Sequence, residues 1–382
     1  MNINDIKIPV PFQFSIDDLG WMDGRIPFWD DWQPTRTGIP RLHTIEDYEM
    51  LNEIGRSVNM KIVGMFVMGD WDRKGILRDV PYSNRLGKNW TGSQYIDEKV
   101  QSEIRDFLNS CEYLEIGMHG LLHECWDDNG NHAGSEFTPS IDFNTPTTCE
   151  PPESYIRAHV DAFFEILKDQ GFNMTPRALT FPSYCEDPQN RKTCGKVFSE
   201  YGFKYWNEMR LDETYFNNGI MINGMPDFIG PWEAFDMNPD KIPVFSEDKA
   251  GIICGHWPNF LRFDPELSIT NLNKWTSFLN RQAEVFGVVL SRDIAFAHNQ
   301  LLYRHNCTIS EVDGKIKIDF SAADALAPSD FDAPIYISVK KGVKPFECEG
   351  GTITEYDVRS DFISYEIKRN SKCDVYLKPL NA

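Results

Sequence analysis

The amino-acid sequence predicts an α/β fold with a mainly parallel sheet, followed by a small all-β domain of sandwich type. Up to about residue 300, short apolar runs alternate with helical patterns, as in strand–helix–strand units. After about residue 306 the helical patterns stop and alternating strands follow one another. Third, the expected strand ends carry aspartates and histidines, and C-terminal strand ends are where parallel β/α folds assemble their sites.

Taken in order, the strands are expected at "PFQFSI" (11–16), "KIVGMFVM" (61–68), "YLEIGM" (113–118), "ALTFPS" (178–183), "FKYWNEM" (203–209) and "GIICGHW" (251–257). Between them, "TIEDYEMLNEIGRSV" opens on Thr44 as N-cap. "DEKVQSEIRDFLNS" and "ESYIRAHVDAFFEILKDQG" follow, the latter stopped by Gly171, and "NLNKWTSFLNRQAEVFG" ends at Gly287. The segments 72–92 and 124–152 are long and polar, and loops of that length are usually functional rims. Beyond residue 306, "KIKIDF", "PIYISVK", "TITEYDV", "FISYEIK" and "CDVYLKPL" read as strands, the first preceded by the hairpin signal Asp313-Gly314. The expected division is therefore 1–300 and 306–382.

Bulk properties exclude several classes. The 382 residues carry a formal net charge of −20 and no basic run, which argues against nucleic acid or anionic lipid as partner. No apolar stretch approaches the roughly 18 residues of a membrane span. The N-terminus lacks a basic region followed by an apolar one, so a cytoplasmic protein is expected. The cysteines number nine, an odd count, scattered and without a C-x-x-C pair, and are expected as reduced thiols. "NWT", "NMT" and "NCT" match glycosylation acceptors, a tripeptide common by chance.

Two clusters bear chemistry. Asp17 and Asp18 end the first strand. They are either a solvated turn or a pair of carboxylates pointing in different directions, one binding a metal and the other facing its water as a base. "HGLLH" ends the third strand. His119 and His123, four apart, are either surface histidines or a chelating pair, with Gly120 favouring a loop that enters a helix. Two imidazoles and a carboxylate leave positions open for water and substrate, as a catalytic metal requires. His256, in "GHW", is either a hydrogen-bonded core histidine or an acid on the far side of the site. Trp21, Trp71, Trp126 and Trp257 fall at strand ends or in adjoining loops, where exposed aromatic faces suit sugar rings.

At these residues the chain resembles the polysaccharide deacetylase (NodB-homology) superfamily. Ser15-Ile16-Asp17-Asp18 matches its Thr-x-Asp-Asp motif, and His119-Gly120-Leu121-Leu122-His123 its His-(Ser/Thr)-x-x-His motif. The resemblance spans roughly residues 11–300 and implies a distorted (β/α) barrel. It implies Asp17 as catalytic base, Asp18, His119 and His123 as ligands of a divalent metal (zinc being the first expectation), and His256, in the loosely matched Cys254-Gly255-His256, as acid. Two positions depart from the pattern: Thr180-Phe181-Pro182 stands where the family has Arg-x-Pro, and Gly120 replaces a hydroxyl residue.

The expected function is a metal-dependent hydrolase removing an acyl group, first of all acetyl, from an amide or ester on a carbohydrate. Backbone N–H groups near Tyr184 are expected to help hold the oxyanion, and Trp21, Trp71, Tyr184 and Trp257 to contact substrate. Two alternatives stay open: a non-haem iron oxygenase using the same triad, and a non-catalytic carbohydrate-binding protein. A homo-oligomer is compatible with either, the β domain supplying contacts.

Overall fold

The computed structural model describes residues 2–24, 39, 41–93, 96–143, 150–183, 190–208, 214–224, 250–343 and 346–380. In chain order the first strands are β1 (Ile6–Lys7), β2 (Val10–Leu19), β3 (Ile62–Val67) and β4 (Leu114–Gly120). Three short strands come next, β5 (Glu124–Trp126), β6 (His132–Ser135) and β7 (Thr138–Pro139), then β8 (Ala178–Thr180) and β9 (Tyr205–Glu208). β10 (Thr214–Asn217), β11 (Ile220–Gly224), β12 (Ile252–His256) and β13 (Val288–Leu290) complete this part. The helices are α1 (Ile45–Val58), α2 (Glu98–Ser110), α3 (Glu153–Asp169), α4 (Lys192–Glu200), α5 (Ile269–Ala283) and α6 (Ile294–Asn306).

A nine-stranded sheet runs β10-β11-β9-β8-β4-β3-β2-β12, with β13 also paired to β2. Its pairings are parallel except β10 with β11. All of β2 is buried, and its alternation sends two different sets of residues to its two faces. Phe12 and Phe14 pack on α5, with ring centroids 5.7 Å (Phe12–Phe278) and 5.2 Å (Phe14–Trp275) apart. The alternate residues Gln13, Ser15 and Asp17 belong to the other face.

That second face is concave. Asn207 of β9 donates to Ser15 Oγ of β2 across 3.3 Å, although β8, β4 and β3 lie between these strands. In a flat sheet four strand spacings would separate them by about 19 Å. The sheet is therefore curled into a half-barrel. Among the described residues no pairing joins its two edges, so of the expected distorted (β/α) barrel the structure shows a curled half-barrel sheet. Helix α6 contributes His298, whose Nε2 lies 2.7 Å from Asn207 Oδ1.

The expected helices form with modest shifts of their ends. Thr44 precedes α1, its N–H held by Asp47 Oδ2 at 3.0 Å. Helices α4 and α6 were not expected. The segment 124–152, expected as a loop, holds the three-stranded sheet β5-β6-β7.

The remaining chain forms β14 (Thr308–Val312), β15 (Lys315–Asp319), a short helix α7 (Ser321–Leu326), β16 (Ile335–Lys340), β17 (Phe346–Glu349), β18 (Gly351–Val358), β19 (Phe362–Arg369) and β20 (Val375–Pro379). Asp313 and Gly314 both have positive φ, 51° and 75°, and join β14 to β15 as the two-residue hairpin their sequence signals. Two four-stranded sheets result, β1-β16-β19-β18 and β14-β15-β20-β17. They share one apolar cluster that includes Ile316, Ile318, Ile337, Ile367 and Leu377. The N-terminal β1 belongs to the first of them, Ile6 facing Val339 and Lys7 facing Ser338.

Candidate metal centre

Two irregularities in sheet pairing build the site. Between β2 and β3 the register jumps from Ile16↔Gly64 to Leu19↔Phe66, so Asp17 and Asp18 together face one residue. Between β3 and β4 it jumps from Phe66↔Met118 to Val67↔Gly120, leaving His119 as the extra residue. A bulge re-aims side chains that a regular strand would send to alternate faces. Asp18 has φ 67° and His123 φ 68°, a left-handed conformation uncommon outside glycine and frequent where function over-determines the backbone.

The result is a buried cluster. Asp18 Oδ1 lies 3.7 Å from His119 Nε2 and 4.0 Å from His123 Nε2. One ligating atom from each of the three residues falls within 4.8 Å of the others. The second ring nitrogens are committed elsewhere. His119 Nδ1 lies 2.9 Å from Thr180 O, and His123 Nδ1 2.8 Å from Glu124 Oε1. Both partners can only accept, so each Nδ1 carries the proton and the Nε2 lone pairs are turned toward Asp18, the arrangement typical of metal-ligating histidines.

Three tests support a cation at this point. Asp18 Oδ1 is buried without a hydrogen-bond partner, a costly condition that a metal would relieve. Asp17, Asp18 and Glu124 are 1%, 4% and 3% exposed, and such a concentration of buried carboxylates calls for positive charge. Tetrahedral zinc bonds imply ligand–ligand spacings of about 3.3 Å, so the observed separations close with side-chain shifts below an ångström.

Burial pushes the Asp18 carboxyl up to about 7, with His123 opposing and Glu124 adding to the rise. The His119 ring is held well below its usual value by burial, then by the charges of His123 and His256. Burial pulls His123 down too, but the hydrogen bond and charge of Glu124 with the charge of Asp18 outweigh it, and its pKa is raised.

Asp17 accepts from Cys254 Sγ, 3.3 Å from its Oδ2. His256 stands opposite Asp17 in the β12–β2 register and is half-buried, its backbone N–H donating to Asn259 Oδ1 at 2.6 Å. Asp18, His119 and His123 thus converge on one point, with Asp17 on the same bulge and His256 beside it in the strand register.

Other expectations are corrected. "HGLLH" does not enter a helix: His119 and Gly120 are strand residues, and His123 leads into β5. Trp21, Trp71 and Trp257 are fully buried and Trp126 nearly so. Trp71 Nε1 donates to Gly20 O at 2.9 Å, and Trp257 Nε1 to His43 Nδ1 at 3.1 Å. The ring area of a tryptophan stabilises more inside a core than at a rim, and these rings offer no face to a sugar. Tyr184 lies outside the described residues. Thr180 contributes its carbonyl to His119.

Sequence reasoning missed the groups behind the ligands. Glu124 was signalled only by standing next to His123, and Glu136 and His159 by nothing local.

No protein-family profile matches the chain. No curated protein matches it either. Among solved structures it is similar to a "putative polysaccharide deacetylase from Mycobacterium smegmatis", with a TM-score of 0.39 and 12% identity over 80% of this chain and 98% of that one. A likeness at that level fixes neither the chain's family nor its chemistry. What stands on the structure itself is a mixed α/β protein with a buried Asp-His-His group able to hold a metal ion.

Proposed function

We propose that the protein is a metal-dependent hydrolase that removes an acyl group, acetyl first of all, from an amide or ester on a carbohydrate, on a half-barrel of the polysaccharide-deacetylase type. The observation that carries this reading is the convergence of Asp18, His119 and His123 on one buried point, beside a second carboxylate on the same bulge. Zinc suits these ligands, and a divalent metal bound there supplies Lewis acidity to an acyl carbonyl and acidifies water. Asp17 takes the proton of the attacking water. His256 gives a proton to the departing amine or alkoxide. The acyl group leaves as a carboxylic acid and the sugar as a free amine or alcohol. Residues 1–300 carry all of these groups, and the division from a β-rich 306–382 belongs to the same proposal.

The test is metal analysis of protein never exposed to chelator, followed by an acid-release screen on acylated sugars. Metal-loaded protein that releases no acid from amide- or ester-acylated sugars would sink the hydrolase reading. The ligand set alone also suits a non-haem iron oxygenase; iron-dependent oxygen consumption would favour it. A non-catalytic sugar binder is the remaining alternative; tight glycan binding with no acid release would favour it.

A further inference from the structure

We infer that Glu124 is the positioning residue of this centre, fixing the tautomer and ring plane of His123 while being held from behind by His132. The inference rests on the metal reading above. Both carboxylate oxygens are engaged: Oε1 lies 2.8 Å from His123 Nδ1 and Oε2 2.6 Å from His132 Nε2. Each carboxylate oxygen of Glu124 thus has an imidazole partner, and Glu124 is not among the three residues that converge as ligands.

The local chain is folded to make this contact. His123 has φ 68°, and its carbonyl accepts from Glu136 N–H at 3.0 Å. Strands β5 and β6 then form a hairpin in which Glu124 faces Ser135 and Trp126 faces His132. The His132 ring stands edge-on to Trp126, centroids 5.8 Å apart at 80°, which limits its rotation. Its side chain is 29% exposed, so the relay His132–Glu124–His123 runs from the surface to the ligand.

A carboxylate in this place does two things that an apolar residue cannot. It makes a charge-assisted bond that holds the ring plane, and it raises the basicity of the ligating nitrogen. Outer groups of this kind typically contribute about 10–100-fold to metal affinity.

The test measures zinc affinity by chelator competition, with the visible spectrum of the cobalt-substituted full-length protein as a second readout. Glu124→Ala is expected to weaken zinc binding about 10–100-fold and to alter the cobalt bands. Glu124→Gln, which keeps shape and one acceptor, should fall between it and wild type and covers the case in which the alanine variant does not fold. His132→Ala should weaken binding in the wild-type background and add nothing once Glu124 is alanine, because its effect travels through that carboxylate. Glu124 variants within twofold of a metal-binding wild type would overturn the inference and leave the metal reading standing. A His132→Ala effect of equal size in both backgrounds would overturn the relay. Wild-type protein that binds no zinc or cobalt would overturn both readings.

Discussion

Gly120→Ala tests the site's architecture without touching a ligand. Gly120 has φ 105°, and a Cβ built there falls well inside van der Waals contact of Glu136 Oε2 and 2.9 Å from Glu136 Cδ. Glu136 is fully buried. Its Oε2 accepts from Leu121 N–H at 2.7 Å, and its Oε1 lies 2.8 Å from His159 Nδ1. Beyond glycine, the backbone conformation costs about 1–3 kcal/mol. Displacing the carboxylate weakens two charge-assisted hydrogen bonds of about 1.5–3 kcal/mol each. A loss of about 4 kcal/mol or more is expected, which places the substitution among the severe ones. Urea denaturation in the presence of chelator reads this as a lowered midpoint, free of any contribution from bound metal. In a Glu136→Ala background the collision disappears, and the cost of Gly120→Ala should fall to the backbone part, about 1–3 kcal/mol. A loss below about 1 kcal/mol, or the same loss in both backgrounds, would refute the reasoning. The same geometry favours glycine at 120, because the volume of a side chain there is taken by Glu136.

The two opening aspartates should separate in assay. Asp18→Asn is expected to lower metal content and affinity, and to abolish the fall in melting temperature that chelator causes in wild-type protein. Asp17→Asn should retain metal and, on an accepted substrate, lose turnover by about 10²–10⁴-fold; unchanged turnover would remove Asp17 from the base role. A further prediction concerns acid. Burial depresses His298 to about 3, whereas the unfolded chain takes up this proton near 6.5. Stability is therefore lost as pH falls below about 6.5, continuing toward 3, by about 3 kcal/mol between pH 7 and 4.5 from this group. His298→Gln should flatten the pH dependence of the urea midpoint across that window, and an unaltered slope would contradict the assignment.

The parts of the fold legible in the sequence were those written in local periodicity. Gln13, Ser15 and Asp17 alternating with Phe12, Phe14 and Ile16 announce a strand with one polar face, and the ligand types at its end could be read directly. Helix α6 escaped because eight of its residues, from Ile294 to Tyr303, are buried; a helix covered on most sides has no apolar stripe to betray it. The bulges escaped for a different reason. His119 is an extra residue only relative to β3, and register is a relation between strands far apart in sequence. The tryptophans misled because a residue type states how much apolar area is available, and the surrounding chain decides whether it is covered. Glu124 and His132 meet only once the β5–β6 hairpin exists; Asn129-Gly130 in "HECWDDNGNH" signals its turn, but a turn signal alone does not say which side chains will meet across the hairpin.

The pairing of Ile6 with Val339 and Lys7 with Ser338 bears on how the protein is made. More than 330 residues separate these partners, and at ordinary synthesis rates of about 5–20 residues per second the N-terminal strand emerges roughly 15–70 s before its neighbour exists. The adjoining β2, which carries both aspartates, waits in the same way for β12 and β13. During translation this strand, with Phe12, Phe14 and Ile16 on one of its faces, thus lacks two of its final partners. Such an exposed edge invites pairing with other nascent chains, so the sheet's outer neighbours complete late in biosynthesis and the interval before they arrive is the window in which a holding chaperone would act.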